Sequence, residues 1–176
     1  MRRMNVAMHA LLSTNEEDDI LCVQEPWFNR IGVWRNDKEK SGTDVSGSAA
    51  HPDFTLIYPY YTNDRIAKVM TYTRKYARTT KGKHTTPIRT IPRLDLASHP
   101  TILITDHYVN QDKLRVINYY NDVNDPSSLQ SLLTLSIDST FPTILVGDFN
   151  LHSRSWSLEN IPRSPNAHKF ETWAAD

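Results

Sequence analysis

The sequence predicts a mixed α/β fold built from layered sheets. Short apolar runs typical of buried strands outnumber the segments with helical spacing, and those helical segments lie between some of the strands. A length of 176 residues suits a single domain, residues 1–176, that can bury a sizeable core. A hydrophobic content of 39% excludes a disordered chain.

The first half of the chain contains one predicted helix and three predicted strands. Met8, Leu11 and Leu12 recur at helical spacing, whereas Ile20 to Val23 form a compact apolar run that indicates a buried strand. Polar stretches with turn-forming residues separate these segments. The predictions are a helix over 5–14, strands over 20–23, 55–58 and 68–72, and loops over 37–53 and 79–87.

The second half alternates strands and helices. Pro126 and the serines behind it begin a helix whose apolar positions, Leu129, Leu132, Leu133 and Ile137, follow at helical spacing, and Pro142 ends it. The run 143–146 reads as another buried strand that leads into Gly147. The remaining predictions are strands over 102–105 and 114–120 and a last helix over 167–175.

Overall composition excludes several classes. The formal net charge is zero, so it indicates no partner, and the single cysteine, Cys22, excludes an internal disulfide. No apolar run approaches the roughly 18 residues of a membrane span, and no apolar segment follows residues 1–4 as a secretory signal would. We therefore expect no membrane association and a nuclear or cytoplasmic rather than a secreted protein.

Basic residues concentrate in one segment. Residues 65–93 hold nine Lys and Arg and no Asp or Glu. Such a stripe is typical of a face that binds a polyanion, and a solvated hairpin would look the same. If the segment binds DNA, then Arg74, Lys75 and Arg78 are the residues predicted to contact phosphates.

Two predicted buried strands end in carboxylates. Glu25 follows the strand at 20–23, and Asp148 follows the strand at 143–146, with Asn150 two residues further on. A hard cation such as Mg²⁺ is held by one or two carboxylates together with water and substrate phosphate, so Glu25 is a candidate ligand. Asp148 can orient or deprotonate an attacking water, and Asn150 can donate an amide hydrogen bond. Taken alone, the Gly-Asp-Phe-Asn stretch is more typical of a strand-terminating turn.

The order of three motifs resembles the endonuclease/exonuclease/phosphatase superfamily. These are Gln24-Glu25-Pro26-Trp27, then Tyr119-Tyr120-Asn121, then Gly147-Asp148-Phe149-Asn150. The extension to His152 and Trp156 is similar to the apurinic-type endonuclease domains of non-LTR retrotransposons. The resemblance covers roughly residues 7–175 and implies a DNase I-like sandwich with four layers, helix, sheet, sheet and helix.

The resemblance implies a role for each matching residue. Glu25 matches the metal-binding Glu, for Mg²⁺ or Mn²⁺, and Asp148 with Asn150 match the pair that handles the nucleophilic water and the phosphate. Tyr120 matches the tyrosine that contacts the scissile phosphate, although Tyr119 competes for the same register. His152 either lines the DNA groove or caps the turn that follows it.

The chain also departs from the family. The family begins with a strand that ends in a metal-site Asn and closes with an Asp-His pair, and neither position has a counterpart within residues 1–176. Asp106-His107 precedes Tyr120 instead of closing the domain, so we interpret it as a coincidence. We therefore expect an impaired or inactive enzyme, with little or no nuclease activity, that is incomplete at both ends and poorly stable alone.

Three functions remain open from the sequence. The first is Mg²⁺-assisted nicking of DNA, with DNA and the reverse transcriptase domain of the same polyprotein as partners. The second is a phosphatase of the same fold that acts on a phospholipid or an inositol phosphate. The third is a remnant without catalytic activity. The basic segment favours a nucleic-acid backbone over a small head group.

Overall fold

The computed structural model describes residues 4–31, 45–59, 67–78, 84–153, 155–156 and 164–175. Within these ranges the chain forms three helices and eleven strands. The helices are α1 (Asn5–Thr14), α2 (Pro126–Leu133) and α3 (Pro165–Ala175). The strands are β1 (Ile20–Gln24), β2 (Asn29–Ile31), β3 (Val45–Gly47), β4 (Phe54–Ile57), β5 (Val69–Arg74), β6 (Tyr76–Arg78), β7 (His84–Pro87), β8 (Arg89–Pro92), β9 (Ile102–Val109), β10 (Asp112–Tyr120) and β11 (Thr143–Asp148).

The first sheet is antiparallel, with the strand order β1-β5-β4. Side chains alternate between the two faces of a strand, so Met70 and Tyr72 of β5 share one face. They form a buried cluster with Met8 and Leu12 of α1. The helix therefore covers this face of the sheet, and its bounds are the predicted ones.

The second sheet has the order β11-β10-β9-β8, and β10 is parallel to β11 while the other pairs are antiparallel. A parallel pair needs a crossover connection, which α2 provides. Ile117 and Tyr119 of β10 form a buried cluster with Leu132 of α2, and Phe170 and Trp173 of α3 pack against it. Both helices therefore cover the outer face of this sheet.

The two sheets meet through the faces that the helices leave uncovered. A buried apolar cluster joins them: Ile57, Val69 and Leu103. Asn118 is fully buried between the sheets. Its Nδ2 donates to the carbonyl of Met70 at 2.8 Å, and its Oδ1 accepts from Nε2 of Gln24 at 2.7 Å. The order helix, sheet, sheet, helix confirms the predicted layered α/β sandwich.

Both predicted loops contain strands. The loop predicted over 79–87 is wrong at its end, because β7 pairs there with β6 as a short antiparallel hairpin. Similarly, β3 pairs with β2 inside the loop predicted over 37–53. Residues 37–44 and 79–83 lie outside the described residues. Polar composition misled both predictions, since a short ribbon needs no alternating apolar face.

Two further predictions fail near the end of the chain. The helix predicted to include Ile137 ends at Leu133, and Ile137 lies beyond it, 39% exposed. The strand predicted over 143–146 forms, but it is not buried, since Ile144 is 48% exposed. Among the described strands β11 pairs with β10 alone, so it lies at an edge of the sheet. No helix in the described part of the chain is long and apolar enough to cross a membrane.

The buried amide between the sheets gives a first prediction. Asn118→Ala removes the partner of the Met70 carbonyl and of the Gln24 amide, and an unsatisfied buried polar group costs about 1–3 kcal/mol. We expect the free energy of unfolding, measured by urea denaturation, to fall by that amount. Asn124→Ala is the control, because Asn124 is exposed. An equal loss in both variants would contradict the assigned role of Asn118.

Candidate functional site

Three strands end at one rim of the sandwich. Tyr120, the last residue of β10, pairs with Asp148, the last residue of β11. The side chain of Gln24, at the end of β1, crosses to Asn118 in the other sheet. Glu25 therefore follows β1 at the same rim, which brings it to the strand end that Tyr120 and Asp148 share.

The side chain of Tyr120 contacts Glu25 directly. Burial raises the pKa of Tyr120 to about 12, aided by a hydrogen bond to Glu25 and by the negative charges of Glu25, Asp122 and Asp148. The hydroxyl thus keeps its proton near neutral pH and can donate it to the carboxylate. Tyr119 is fully buried in the core, and its hydroxyl donates to Asn121 Oδ1 at 3.1 Å. The register therefore presents Tyr120, not Tyr119, to the rim.

Two predicted site residues have left-handed backbones. The φ angle is +48° at Glu25 and +46° at Asn150. Residues with side chains rarely adopt this region, and those that do cluster at functional sites. A 2.8 Å hydrogen bond from the amide of Glu25 to the carbonyl of Lys68 holds the first turn. Each turn ends its strand abruptly at the rim.

Asn121 connects the ends of β10 and β11. Its amide N–H donates to the carbonyl of Asp148, and its Nδ2 donates to the carbonyl of Phe149, both at 2.8 Å. In return, Nδ2 of Asn150 donates to the carbonyl of Asn121 at 2.9 Å. One amide hydrogen of Asn150 is used here, and an amide group has two. The backbone N–H of Asn150 donates to Oδ1 of Asp148 at 3.1 Å.

A close backbone approach explains Gly147. A Cβ atom at this position would lie 1.8 Å from the carbonyl oxygen of Tyr119 on the neighbouring strand. Any side chain would therefore push β11 away from β10. Since Asp148 is the next residue, the glycine also sets the position of that carboxylate.

Sequence reasoning missed an ion pair at the rim. Nζ of Lys68 lies 3.0 Å from Oδ2 of Asp122, two residues after Tyr120. The hydrogen bond from Lys68 holds the pKa of Asp122 below its usual range. Lys68 belongs to the basic segment and Asp122 to an acidic stretch, and their separation in sequence leaves no local signal that they pair.

A pocket of about 400 Å³ opens beside the rim, between α2 and α3. Asn121, Asp122 and Asn150 line the end next to the site. Amide, charged and leucine side chains line the rest, among them Leu129, Gln130, Asn166 and Lys169.

The sequence matches a known family along nearly its whole length. The profile of the endonuclease/exonuclease/phosphatase family aligns with residues 2–175. The chain belongs to this family. The fold is also similar to the endonuclease domain of TRAS1, a telomere-specific non-LTR retrotransposon, with a TM-score of 0.57 and 14% sequence identity. That match covers 99% of this chain and 65% of the TRAS1 chain. No curated protein gives a significant sequence match.

Family membership implies a divalent metal, and the donor chemistry of the rim fits one. Glu25 and Asp148 offer carboxylate oxygens at strand ends, and Mg²⁺ takes one or two carboxylates while keeping several waters. Within the described ranges no group of three or more His, Cys, Asp or Glu side chains forms a metal cluster. Two carboxylates at strand ends are donors that suit a partly hydrated hard cation.

The predicted phosphate contact Arg74 needs correction, because its side chain is only 7% exposed. The guanidinium donates to the carbonyls of Asn15 and Asp18 and lies 4.5 Å from the ring centre of Phe54. These partners tie the helix-to-strand connection before β1 to β5. Arg74 therefore stabilises the fold and is not exposed for contact with phosphate.

The structure does not bring the other basic candidates to the rim. Lys75 and Arg78 are exposed on and beside the β6–β7 hairpin. Val69, the first residue of β5, pairs with Gln24 at the rim. The hairpin follows Arg74, which is five residues further along β5. Five residues span about 17 Å at roughly 3.4 Å per residue. Phosphate binding by Lys75 and Arg78 stays a prediction, and it would involve a part of the DNA that lies away from the rim.

His152 and the Asp106-His107 pair lie in different surroundings. His152 is exposed in the loop after Asn150, and its role stays a prediction. Asp106 is buried, and its Oδ1 lies 2.6 Å from Nε of Arg115. Arg115 is five residues before Tyr120 on β10. Burial lowers the pKa of His107 to about 4, so its imidazole is neutral at physiological pH. Asp106-His107 is therefore a structural pair away from the rim.

The close approach at Gly147 gives a second prediction. Gly147→Ala forces the strands apart, and overpacking of this kind typically costs about 1–3 kcal/mol. We expect that loss in urea denaturation. Ile144→Ala on the same strand is the control and should cost less, because Ile144 is half exposed. A Gly147→Ala protein as stable as the parent would show that β11 moves freely.

Proposed function

We propose that this chain is a nuclease domain that hydrolyses DNA phosphodiester bonds with Mg²⁺ or Mn²⁺, as in the nicking step of a retrotransposon. The observation that supports it is the contact between Tyr120 and Glu25 at the rim that Asp148 also occupies. Three motifs far apart in sequence thus meet at one point. Membership of the endonuclease/exonuclease/phosphatase family supports the same chemistry.

Each side chain has a role in this proposal. Glu25 would hold the cation, which would supply Lewis-acid stabilisation of the charge that develops on the phosphate. Asp148 orients the attacking water and accepts its proton. Asn150 donates its second amide hydrogen to a phosphate oxygen, since the first is bonded to the Asn121 carbonyl. Tyr120 keeps its proton, and its single O–H would turn from Glu25 to a phosphate oxygen once that carboxylate holds the cation.

DNA is the proposed substrate. The similar TRAS1 domain is named as the endonuclease of a telomere-specific non-LTR retrotransposon, which supports DNA and a polyprotein that includes a reverse transcriptase domain as partners. His152 is proposed to face the DNA groove. The chain spans 65% of the TRAS1 chain.

A phosphatase is the second candidate. The family includes phosphatases, and the pocket of about 400 Å³ beside Asn150, lined by Lys169 but also by Asp122 and Asp125, has room for a small phosphorylated head group.

The nuclease proposal predicts a metal-dependent nick. With Mg²⁺, the chain should convert supercoiled plasmid to the open circular form, and a chelator should stop it. Loss of a general base typically lowers the rate about 10²–10⁴-fold, so Asp148→Ala should remove the activity. The control is Asp112→Ala, at the opposite end of β10, which should nick like the parent.

Two outcomes would count against a nuclease. Release of phosphate from an inositol phosphate without any nicking, lost in Asp148→Ala, would favour the phosphatase instead. Equal nicking by the parent and Asp148→Ala would reject both functions for this rim.

The hairpin gives a separate prediction about DNA affinity. Lys75→Ala with Arg78→Ala should weaken binding on any sequence and flatten its salt dependence by roughly 0.9 log units per lost contact. The nicking rate at saturating DNA should not change, because the hairpin lies at the far end of the sheet. Ser136→Glu with Ser139→Glu, on an exposed loop, lowers the net charge equally and controls for overall charge. A parental salt slope in the hairpin variant would exclude backbone contact there.

A further inference from the structure

One basic residue of the segment 65–93 does lie at the rim. The amide of Lys68 donates to the carbonyl of Pro100 at 3.0 Å, and its own carbonyl accepts the 2.8 Å bond from Glu25. Both backbone groups are therefore fixed, just before β5 begins. Lys68 lies beside the proposed metal ligand, whereas the hairpin is at the opposite end of the same strand.

Its ammonium group is held by an anchored carboxylate. Oδ2 of Asp122 lies 3.0 Å from Nζ of Lys68. Oδ1 of Asp122 accepts the backbone N–H of Asn124 at 3.1 Å, so both carboxylate oxygens are engaged. The pair joins the loop before β5 of one sheet to the loop after β10 of the other. The lysine side chain thus has a fixed direction.

Exposure differs between the two partners. The side chain of Lys68 is 29% exposed and that of Asp122 is 15% exposed. An ammonium group has three hydrogens to donate, and the contact with Asp122 uses one. The amine therefore retains donors toward solvent, while the carboxylate behind it is largely withdrawn.

Stability alone explains this pair poorly. Ion pairs with a partly exposed partner contribute about 0–1 kcal/mol. Position explains it better, because Glu25 and Asp148 at this rim repel a phosphodiester. A fixed ammonium beside them offsets that repulsion and stabilises the charge on phosphate oxygens during phosphoryl transfer.

We propose that Lys68 binds a non-bridging oxygen of the DNA phosphate at the rim and that Asp122 is the positioning residue that directs it there. The inference rests on the proposed nuclease function. Among the basic residues of segment 65–93, it assigns the phosphate contact nearest the reaction to Lys68, rather than to Arg74, Lys75 or Arg78.

The test measures binding of a fluorescein-labelled DNA duplex by anisotropy at several salt concentrations. Lys68→Ala should lower the salt slope by about 0.9 log units, the loss of one phosphate contact. Lys68→Arg should keep the parental slope because it keeps the charge. Lys113→Ala is the matched control, since Lys113 lies seven residues along β10 from Tyr120, about 24 Å away. Lys68→Gln retains a donor to Asp122 and replaces Lys68→Ala if circular dichroism shows that the alanine variant is unfolded.

A single variant tests the role of Asp122. Asp122→Asn keeps the ammonium of Lys68 but no longer fixes its direction, so it should lower the nicking rate at saturating DNA, whereas loss of a purely structural ion pair would lower only the stability. A parental nicking rate in Asp122→Asn would overturn the role of Asp122. Parental slopes in both Lys68→Ala and Lys68→Gln would overturn the phosphate contact. If the parent does not bind the duplex at all, the proposed function fails, and this inference fails with it.

Discussion

The site depends on one buried amide between the sheets. Asn118 has no access to solvent, so its polar atoms need protein partners. It finds them in the other sheet, at the carbonyl of Met70 and the amide of Gln24. Apolar contacts alone let one sheet slide over the other, because they have little directionality. Directional hydrogen bonds fix the offset, and that offset brings the end of β1 level with the end of β10.

The sequence predicts the elements best where burial and periodicity agree. The bounds of α1 match because Met8 and Leu12 face one sheet and the opposite side faces solvent. β11 shows the limit of the same reasoning. An apolar run reads as buried whether or not other strands cover it, and the exposure of Ile144 depends on the neighbours of β11 in the sheet.

Sequence reasoning also found some rim residues and missed others, because it cannot see contacts between distant segments. Glu25 and Asp148 can be found in sequence because each directly follows an apolar strand. The sequence does not show which of Arg74 and Lys68 is exposed at the rim, because the two residues have the same charge and lie in the same segment. Arg74 is withdrawn from solvent by carbonyls of the connection between α1 and β1, and Lys68 is held by a carboxylate after β10. Hydrogen bonds and ion pairs between distant segments decide which basic side chain is exposed to solvent, and these contacts cannot be deduced from composition.

The rim is rigid for a reason that lies in the backbone. Left-handed turns at Glu25 and Asn150 typically cost about 1 kcal/mol or more each, so they persist only where surrounding bonds hold them. The Lys68 carbonyl holds the first turn, and the exchange of bonds with Asn121 holds the second. Lys68 therefore acts twice, with its carbonyl on Glu25 and its ammonium at the surface. Because the carbonyl contact belongs to the backbone, a substitution of the side chain can remove the charge while Glu25 keeps its turn.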